Sequence, residues 1–257
     1  MKKYPLHLLG RYTAIMVAGI ITAVSSAGCA SGRLKSAMEA PAKASTLKLI
    51  NYEVGDDLLQ RMNEFTNLKT LYLFGNNIDY IPEEIGQLTS LETIIISNNN
   101  ITTIPASIGN LPNLKKLSLQ NNKITSLPKE IGNLKSLQYL YLENNQLKTL
   151  PAEIGNLTNL EILDLDGNSL TSLPDEIGKL TKLENLSLDR NNLTELPSTI
   201  GNLIALNELH LVRAGVMLVV PESIVNCRYL RHIYVDKSTI LPGSVIALPS
   251  LKVMQAN

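Results

Sequence analysis

The sequence has no tryptophan, and aromatic residues make up only 4% of its 257 residues. It contains two cysteines, too few for a disulfide framework. It also contains three histidines, one of them in the first ten residues, which leaves little material for a histidine-based metal site or a catalytic triad. Basic and acidic residues balance at 23 each, so no excess of positive charge points to nucleic acid.

Motifs that carry chemistry are also missing from the sequence. It contains no nucleophile elbow, no phosphate-binding loop and no dinucleotide-binding fingerprint. We therefore predict a protein that is not an enzyme, has no cofactor or resident metal and does not bind nucleic acid.

The N-terminus combines a basic flank with a short apolar run. Lys2, Lys3 and Arg11 precede residues 13–24, "TAIMVAGIITAV". This run is shorter than the roughly 20 residues that a membrane-spanning helix needs. Its length is typical of the apolar part of a secretory signal peptide, which is removed from the mature protein.

Small residues and a cysteine follow the apolar run, and Ala27-Gly28-Cys29 resembles the cleavage motif of bacterial lipoproteins. Ser26 departs from that motif, which usually has an aliphatic residue there. The resemblance implies cleavage before Cys29 and a lipid on Cys29 that holds the protein to a membrane of the cell envelope. Ala30 is not the Asp that signals inner-membrane retention in some bacteria, so we expect the outer membrane or the cell surface. Two alternatives remain open: an ordinary signal peptide that leaves Cys29 as a free thiol, and an uncleaved anchor.

A repeat with a period of 23 residues dominates the rest of the chain. Six consecutive blocks begin at Leu68, Leu91, Leu114, Leu137, Leu160 and Leu183, and each follows LxxLxLxxNxLxxLPxxIGxLxx with Ile at some Leu positions. The LxL alternation predicts a short strand with one buried face. A single block cannot bury its apolar residues, but stacked blocks bury them in one continuous core.

This pattern resembles the leucine-rich repeat family, in its 23-residue form with "LPxxIGxL" in the second half. The resemblance implies an α/β solenoid that is curved, with parallel strands on its concave face and short helical or 3-10 turns on its convex face. The predicted organisation is a signal peptide at 1–28, a flexible tether at 29–44, an N-terminal cap at 45–65, six regular repeats at 66–203, and degenerate repeats with a C-terminal cap at 204–257.

Three recurring residues have predicted structural roles. The Asn after each strand, such as Asn122, is expected to bond buried backbone groups of its own block and the next. The Pro of each block, such as Pro128, is expected at the first position of a helical turn. The Gly that follows, such as Gly132, is expected as a left-handed cap. Cys227 takes the position of a core leucine, so we predict a buried thiol and no Cys29–Cys227 disulfide.

Positions 3, 5 and 7 of each block alternate with the buried positions, and we call the surface that they form the concave face. Two apolar patches are predicted on it: an N-terminal patch of Tyr72, Phe74 and Ile95, and a middle patch of Tyr139, Tyr141 and Ile162. Single exposed aromatic residues are normal on a protein surface. Because these lie next to one another, we interpret them as a binding surface. Polar candidates lie beside the middle patch and towards the C-terminus: Glu143, Asp164, Asp166, Asp189 and His210.

Two metal sites are conceivable on this face but are not predicted. Residues 164–169, "DLDGNS", lack the glycine spacing of a calcium loop. His210 and His232 could hold zinc together with Asp189, Tyr234 or Asp236, but a polar surface near the cap is the preferred interpretation.

The sequence therefore predicts a binding module that is monomeric, anchored to the cell envelope and attached to a partner protein through its concave face. Family resemblance supports a protein partner and does not identify it. The alternatives are an envelope protein with a glycan-binding or structural role and, last, a component of an enzyme system whose catalytic domain is elsewhere.

Overall fold

A computed structural model describes residues 20–24, 38–52, 54, 56–246 and 250–256 of the chain. Cys29, the predicted cleavage position and the first part of the predicted tether lie outside the described residues. No helix in the described ranges has the length and apolar character needed to cross a bilayer.

Eleven strands form one sheet in which every neighbouring pair is parallel and the spatial order is the chain order. The strands are β1 (Ile20–Val24), β2 (Thr46–Ile50), β3 (Thr70–Phe74), β4 (Thr93–Ile95), β5 (Lys116–Ser118), β6 (Tyr139–Tyr141), β7 (Ile162–Asp164), β8 (Asn185–Ser187), β9 (Glu208–Leu211), β10 (His232–Val235) and β11 (Lys252–Gln255). This arrangement confirms the predicted solenoid.

The side opposite the strands consists of short 3-10 turns. They are Pro41–Lys43, Met62–Glu64, Glu83–Gln87, Ala106–Asn110, Lys129–Asn133, Ala152–Asn156, Asp175–Lys179, Ser198–Asn202 and Glu222–Asn226. In the described ranges, α1 (Asp56–Gln60) and α2 (Gly243–Ile246) lie near the ends of the domain. Stacking turns against turns and strands against strands leaves one continuous core between the two layers.

The core is built from the predicted apolar positions. In the block that begins at Leu160, the residues Leu163, Leu165 and Ile177 are all 0% exposed. The strand register places Leu163 between Leu140 and Leu186, so identical positions stack directly on one another. Because each leucine packs on its copies in the neighbouring blocks, stability accumulates from block to block.

The recurring Asn residues form a buried hydrogen-bonded ladder. Asn122 donates through Nδ2 to the carbonyl oxygens of Ile96 and Leu119, both at 2.9 Å, and its Oδ1 accepts from the Ile101 N–H at 3.1 Å. These partners belong to its own block and the preceding block. The prediction of a structural role is confirmed, but the prediction that the second partner lies in the next block is wrong.

The predicted roles of Pro and Gly need correction. Pro128 precedes its turn with an extended backbone (ψ 148°), so the 3-10 turn begins one residue later, at Lys129. Gly132 lies inside the turn, and a Cβ there would stand 2.5 Å from the Glu153 carbonyl oxygen of the next turn. Close approach of stacked turns therefore requires the glycine. Left-handed backbone occurs instead in the turns that follow the strands, for example at Asn121 (φ 54°), three residues after the end of β5.

The segment predicted as the N-terminal cap contains a strand and a short helix. Leu47 and Leu49 are buried in β2, and Leu58 and Leu59 are buried in α1. Part of the predicted signal peptide, Ile20–Val24, is described as β1 and pairs in parallel with β2.

The described part of the predicted tether, residues 38–44, contacts the domain. Met38 packs against the core, and its carbonyl oxygen accepts a hydrogen bond from Arg61 Nη2 at 3.0 Å.

The repeat pattern decays after Leu206, as predicted. Ala214 replaces the ladder Asn, and its carbonyl oxygen accepts from the Leu193 N–H at 2.7 Å. The extra residue of this block produces a loop in which Val216 is 87% exposed and Met217 is 64% exposed. Cys227 is buried, as predicted, at 3% exposed.

Candidate functional site

The concave face is built by the alternation within each strand. In β6 the central Leu140 is fully buried, whereas Tyr139 and Tyr141 on either side are half-buried and face away from the core. The same pattern repeats in β7 and β8, whereas in β5 Ser118 is buried as well. Because the strands pair in register, equivalent positions form rows that run across the sheet.

The structure brings the N-terminal patch together. The rings of Tyr72 and Phe74 have centroids 6.4 Å apart with an interplanar angle of 32°. Tyr72 lies opposite Ile95 in the register of β3 and β4. The ammonium group of Lys48, on β2, lies 5.0 Å from the Tyr72 ring centroid. Sequence analysis missed this lysine, although it occupies position 5 of the cap strand.

The middle patch is also assembled. Tyr139 lies opposite Ile162, and Tyr141 lies opposite Asp164, in the register of β6 and β7. The Tyr139 hydroxyl donates to Glu161 Oε2 at 2.9 Å, and the Lys116 ammonium lies 5.1 Å from the Tyr141 ring centroid. Both aromatic side chains of this patch therefore have a polar neighbour, Glu161 at the Tyr139 hydroxyl and Lys116 over the Tyr141 ring.

A polar strip separates the two patches. Ser97 and Ser118 are buried, and their hydroxyl oxygens lie 2.9 Å apart. Ser118 donates to Gln120 Oε1 at 3.0 Å, and Gln120 Nε2 donates to Glu143 Oε2 at 3.1 Å. These hydrogen bonds form a chain from Ser97, which follows β4, to Glu143 beside the middle patch.

Those acidic residues hold fixed positions because backbone N–H groups donate to them. Asp164 Oδ1 accepts from Asp166 N at 3.1 Å, and Asp166 Oδ1 accepts from Asp189 N at 2.8 Å. Asp189 Oδ1 accepts from Val212 N at 2.7 Å. Each carboxylate of this series therefore caps the backbone at a strand end, two of them in the following repeat.

Burial raises the pKa of these carboxyl groups. The pKa of Asp164 rises to about 6, mainly through desolvation, and the charge of Glu143 adds to the effect. The pKa of Asp166 rises to about 7, again mainly through desolvation, and the charge of Asp164 adds to it. The pKa of Asp189 is also raised by burial. Concentrated negative charge of this kind, partly removed from water, is typical of functional surfaces.

The C-terminal end of the face carries a stacked ring pair. The His210 and Tyr234 rings have centroids 4.2 Å apart with an interplanar angle of 14°. Glu208, which sequence analysis did not single out, lies between the two histidines: its carboxylate oxygens are 3.7 Å from His210 Nε2 and 3.8 Å from His232 Nδ1.

Asp236, one of the groups that the repeat register puts near the two histidines, accepts hydrogen bonds from the Arg213 and Ser238 backbone N–H groups. Across the part of the chain that the structure describes, no group of three or more His, Cys, Asp or Glu residues is arranged to hold a metal ion.

The second cysteine does not belong to a reactive site. Cys227 Sγ donates to the Ile200 carbonyl oxygen at 3.3 Å, inside the core. Burial raises the pKa of this thiol to about 11. A neutral, buried thiol is a poor nucleophile, because the thiolate is the reactive form.

The profile described as "Leucine-rich repeat region" matches residues 46–138 and 106–192, and the profile described as "Leucine Rich Repeat" matches residues 182–203. The first profile alone spans more than half of the 257 residues. Among curated protein sequences, none matches the chain.

Solved structures with similar folds include bacterial and plant proteins. A leucine-rich repeat protein of Leptospira interrogans is 29% identical with a TM-score of 0.58, and the alignment covers 92% of this chain and 71% of that one. The ectodomain of a membrane receptor kinase from Arabidopsis thaliana, solved in complex with Casparian strip integrity factor 2, is 29% identical with a TM-score of 0.68 and coverages of 84% and 27%.

An internalin from Listeria monocytogenes is also similar, with a TM-score of 0.71 at 23% identity and coverages of 82% and 61%. At this identity the likeness concerns the fold alone. Together, these neighbours place the same stacked-repeat architecture in bacterial proteins and in plant receptor ectodomains.

Proposed function

Because the chain belongs to the leucine-rich repeat family, we propose that it binds a partner protein through its concave face while a lipid on Cys29 anchors it to the bacterial cell envelope. The observation that carries the proposal is the assembly of two aromatic patches on one sheet face. Tyr72 and Phe74 form one, Tyr139 and Tyr141 the other, and all four side chains are half-buried rather than packed into the core.

The physical argument concerns pre-organisation. Tyrosine brings a large contact area at a small loss of side-chain entropy, which makes it a frequent anchor of protein interfaces. The rings on this face are already ordered by Lys48, Lys116 and Glu161, so binding would cost little additional side-chain entropy. The plant receptor ectodomain, solved in complex with a partner, supports a protein or peptide ligand.

The anchor part of the proposal rests on the resemblance of Ala27-Gly28-Cys29 to a lipoprotein motif. We propose that the anchored protein lies at the outer membrane or the cell surface, and that it is a monomer. Mass spectrometry of the mature N-terminus tests the anchor. We expect a chain that begins at a lipid-modified Cys29, and an unmodified Cys29 or an upstream start would contradict the anchor without affecting the binding proposal.

The binding part is tested by photo-crosslinking in the native cell. A crosslinking amino acid is placed at Tyr72 or at Tyr141, and matched controls place it at Tyr80 or Tyr229, two exposed tyrosines outside the concave face. We expect one specific protein adduct from the concave positions and none from the controls.

A second comparison uses the double variant Tyr72→Ala/Tyr141→Ala against Tyr80→Ala/Tyr229→Ala. Because the tyrosines are mutated here, the crosslinking amino acid is placed at Ile95 in both variants. We expect the concave-face variant to lose the protein adduct and the control variant to keep it. Equal adduct formation in both variants would place the binding surface elsewhere. A glycan array on the same variants separates the glycan-binding alternative, which predicts sugar binding and no protein adduct.

A further inference from the structure

One part of the concave face combines apolar and acidic side chains on three adjacent strands and the turns that follow them. We call it the tyrosine–carboxylate surface. It consists of Tyr139, Tyr141, Glu143, Ile162, Asp164, Asp166 and Asp189. In register, Tyr139 lies opposite Ile162 and Tyr141 opposite Asp164, so the apolar and acidic parts share a border rather than lying at separate ends of the face.

The four carboxylates of this surface have no ion-pair partner in the part of the chain that the structure describes. They are Glu143, Asp164, Asp166 and Asp189. Backbone N–H groups nevertheless hold the three aspartates in place at 2.7–3.1 Å. Holding like charges together at a partly buried surface is unfavourable, so a cation that arrives there relieves repulsion as well as adding attraction.

Other charged groups nearby only partly offset this negative charge. Arg190 and His210 favour the ionised aspartates electrostatically, whereas Asp236 opposes ionisation of Asp189. Lys116 lies over the Tyr141 ring, on the β5 side of the surface. Acidic groups therefore outnumber basic ones around the surface, and its complement is positively charged.

The chain itself shows how an ammonium group sits at the border of this surface. Lys116 Nζ lies 5.1 Å from the Tyr141 ring centroid, and Lys48 Nζ lies 5.0 Å from the Tyr72 ring centroid on the N-terminal patch. An aromatic face attracts a cation through its quadrupole. Tyr141 also lies opposite Asp164 in the register of β6 and β7, so its ring is suited to the stem and head of a long basic side chain.

We propose that the tyrosine–carboxylate surface docks a partner segment that presents a lysine or arginine side chain next to an aliphatic or aromatic one. The cation lies among the carboxylates of β6, β7 and β8 and their following turns, and the apolar neighbour packs on Tyr139, Tyr141 and Ile162. This inference rests on the proposed function, because it names the chemistry of the partner that the concave face binds.

Soluble peptides test the inference directly. Three peptides are identical except at two positions: Leu-Lys-Tyr-Lys-Leu, the same peptide with Gln for Lys, and the same with Glu for Lys. Titration of the protein followed by NMR, at about 0.15 M salt to screen long-range charge effects, gives a dissociation constant and the residues affected. We expect saturable shifts at Tyr141 and Ile162 with the lysine peptide, and dissociation constants higher by about fivefold or more for the other two.

Matched variants distinguish an effect of the tyrosine–carboxylate surface on peptide binding from an effect of the protein's net charge. At about pH 8, where both groups are ionised, Asp164→Asn/Asp166→Asn removes two charges from the surface while retaining the side-chain oxygens that accept backbone hydrogen bonds. Asp175→Asn/Glu176→Gln removes two charges from the 3-10 turn of the same block. The first variant is expected to bind the lysine peptide about tenfold more weakly, and the second to bind it like the parent. Lowering the pH from about 8 to about 5.5 should weaken binding to the parent, because the carboxylates gain protons.

Equal dissociation constants for the three peptides would overturn the inference, as would unchanged binding of the lysine peptide to Asp164→Asn/Asp166→Asn. Neither result would overturn the proposed function, because crosslinking from Tyr72 and Tyr141 detects a partner of any charge. If instead the lysine peptide binds as expected and no concave-face adduct forms in cells, the cationic preference of the surface stands and the proposed function fails.

Discussion

Lys116 places its ammonium group 5.1 Å from the centroid of the Tyr141 ring, and Lys48 does the same with Tyr72 at 5.0 Å. In both pairs the lysine comes from the strand that precedes the tyrosine. Each contact is worth about 0.5–1 kcal/mol at an exposed site, enough to favour one orientation of the ring. Both aromatic patches of the concave face are therefore partly ordered before any partner arrives.

Replacing the partly buried carboxyl groups of Asp164 and Asp166 should stabilise the protein at alkaline pH. The pKa values of Asp164 and Asp166, about 6 and about 7 in the folded protein, lie above the ordinary value of 3.8 that the unfolded chain has. The folded state therefore binds more protons at these two groups between those limits. Their contribution to stability is fully present below about pH 4 and is lost as the pH rises through 6 to 7. Each unit of pKa difference corresponds to about 1.4 kcal/mol.

The measurement is urea denaturation of the parent and of Asp164→Asn/Asp166→Asn at about pH 5 and about pH 8. The variant is expected to gain on the order of 2 kcal/mol over the parent at the higher pH, with a smaller gain at the lower pH. Asp175→Asn/Glu176→Gln serves as the control and should follow the parent. A gain that is the same at both pH values would contradict the assigned pKa shifts.

Loss of one ladder asparagine should destabilise the whole solenoid. Asn145 donates to the carbonyl oxygens of Leu119 and Leu142 and accepts from the Ile124 N–H. In Asn145→Ala these buried backbone groups lose their partner, at a cost of about 1–3 kcal/mol for each group that stays unpaired. The free energy of unfolding, measured with urea, should fall by more than about 2 kcal/mol. The neighbouring exposed Gln146→Ala is the control, and a comparable loss there would refute the ladder interpretation.

Glycine inside the 3-10 turns should tolerate no side chain. In Gly132→Ala the new Cβ would meet the Glu153 carbonyl oxygen at 2.5 Å, so the next turn must shift. We expect a loss of about 1–3 kcal/mol in the free energy of unfolding. Gly243→Ala is the matched control, because a Cβ there meets nothing within 4 Å. If the two substitutions have equal effects, close stacking of the turns is not the reason for the glycine.

Cys227 should react with thiol reagents only after unfolding. Its thiol is buried at 3% exposed, and burial raises its pKa to about 11. In the variant Cys29→Ser it is the only thiol, so N-ethylmaleimide labelling followed by mass spectrometry reports on it alone. We expect no labelling of the native protein at neutral pH and complete labelling in denaturant. Rapid native labelling would show that the last repeats open readily.

Sequence alone predicted the architecture because the period repeats six times and leaves little freedom in the register. Leu163 and its copies could be assigned to the core from spacing, and Asn122 to a ladder from its place after the strand. The backbone of single residues was less predictable. Pro128 lies one residue before its 3-10 turn, not at the first position of the turn. Gly132 does not have a left-handed backbone. Contacts between neighbouring turns determine the backbone conformation at these positions.

The candidate site was predicted as a set of residues but not as a set of contacts. Tyr72, Phe74 and Ile95 could be placed together because rows of equivalent positions must adjoin in a parallel sheet. The strand register does not determine the side-chain rotamers, or which side chains are long enough to reach one another. Glu208, rather than Asp189 or Asp236, therefore lies between His210 and His232.

The sequence by itself determined the stacked repeat, the buried leucines and ladder asparagines, and which residues face outward from the sheet. It could do so because each of these follows from a fixed period and from the need to pair buried polar groups. Only the tertiary structure decided which of the outward residues interact. Burial of Asp164 and Asp166, the lysines over Tyr72 and Tyr141, and the absence of ion pairs at four described carboxylates all depend on distances between side chains of different blocks. The repeat period determines which positions are neighbours. The size and charge of each side chain then determine whether those neighbours form contacts, ion pairs or a partly buried surface.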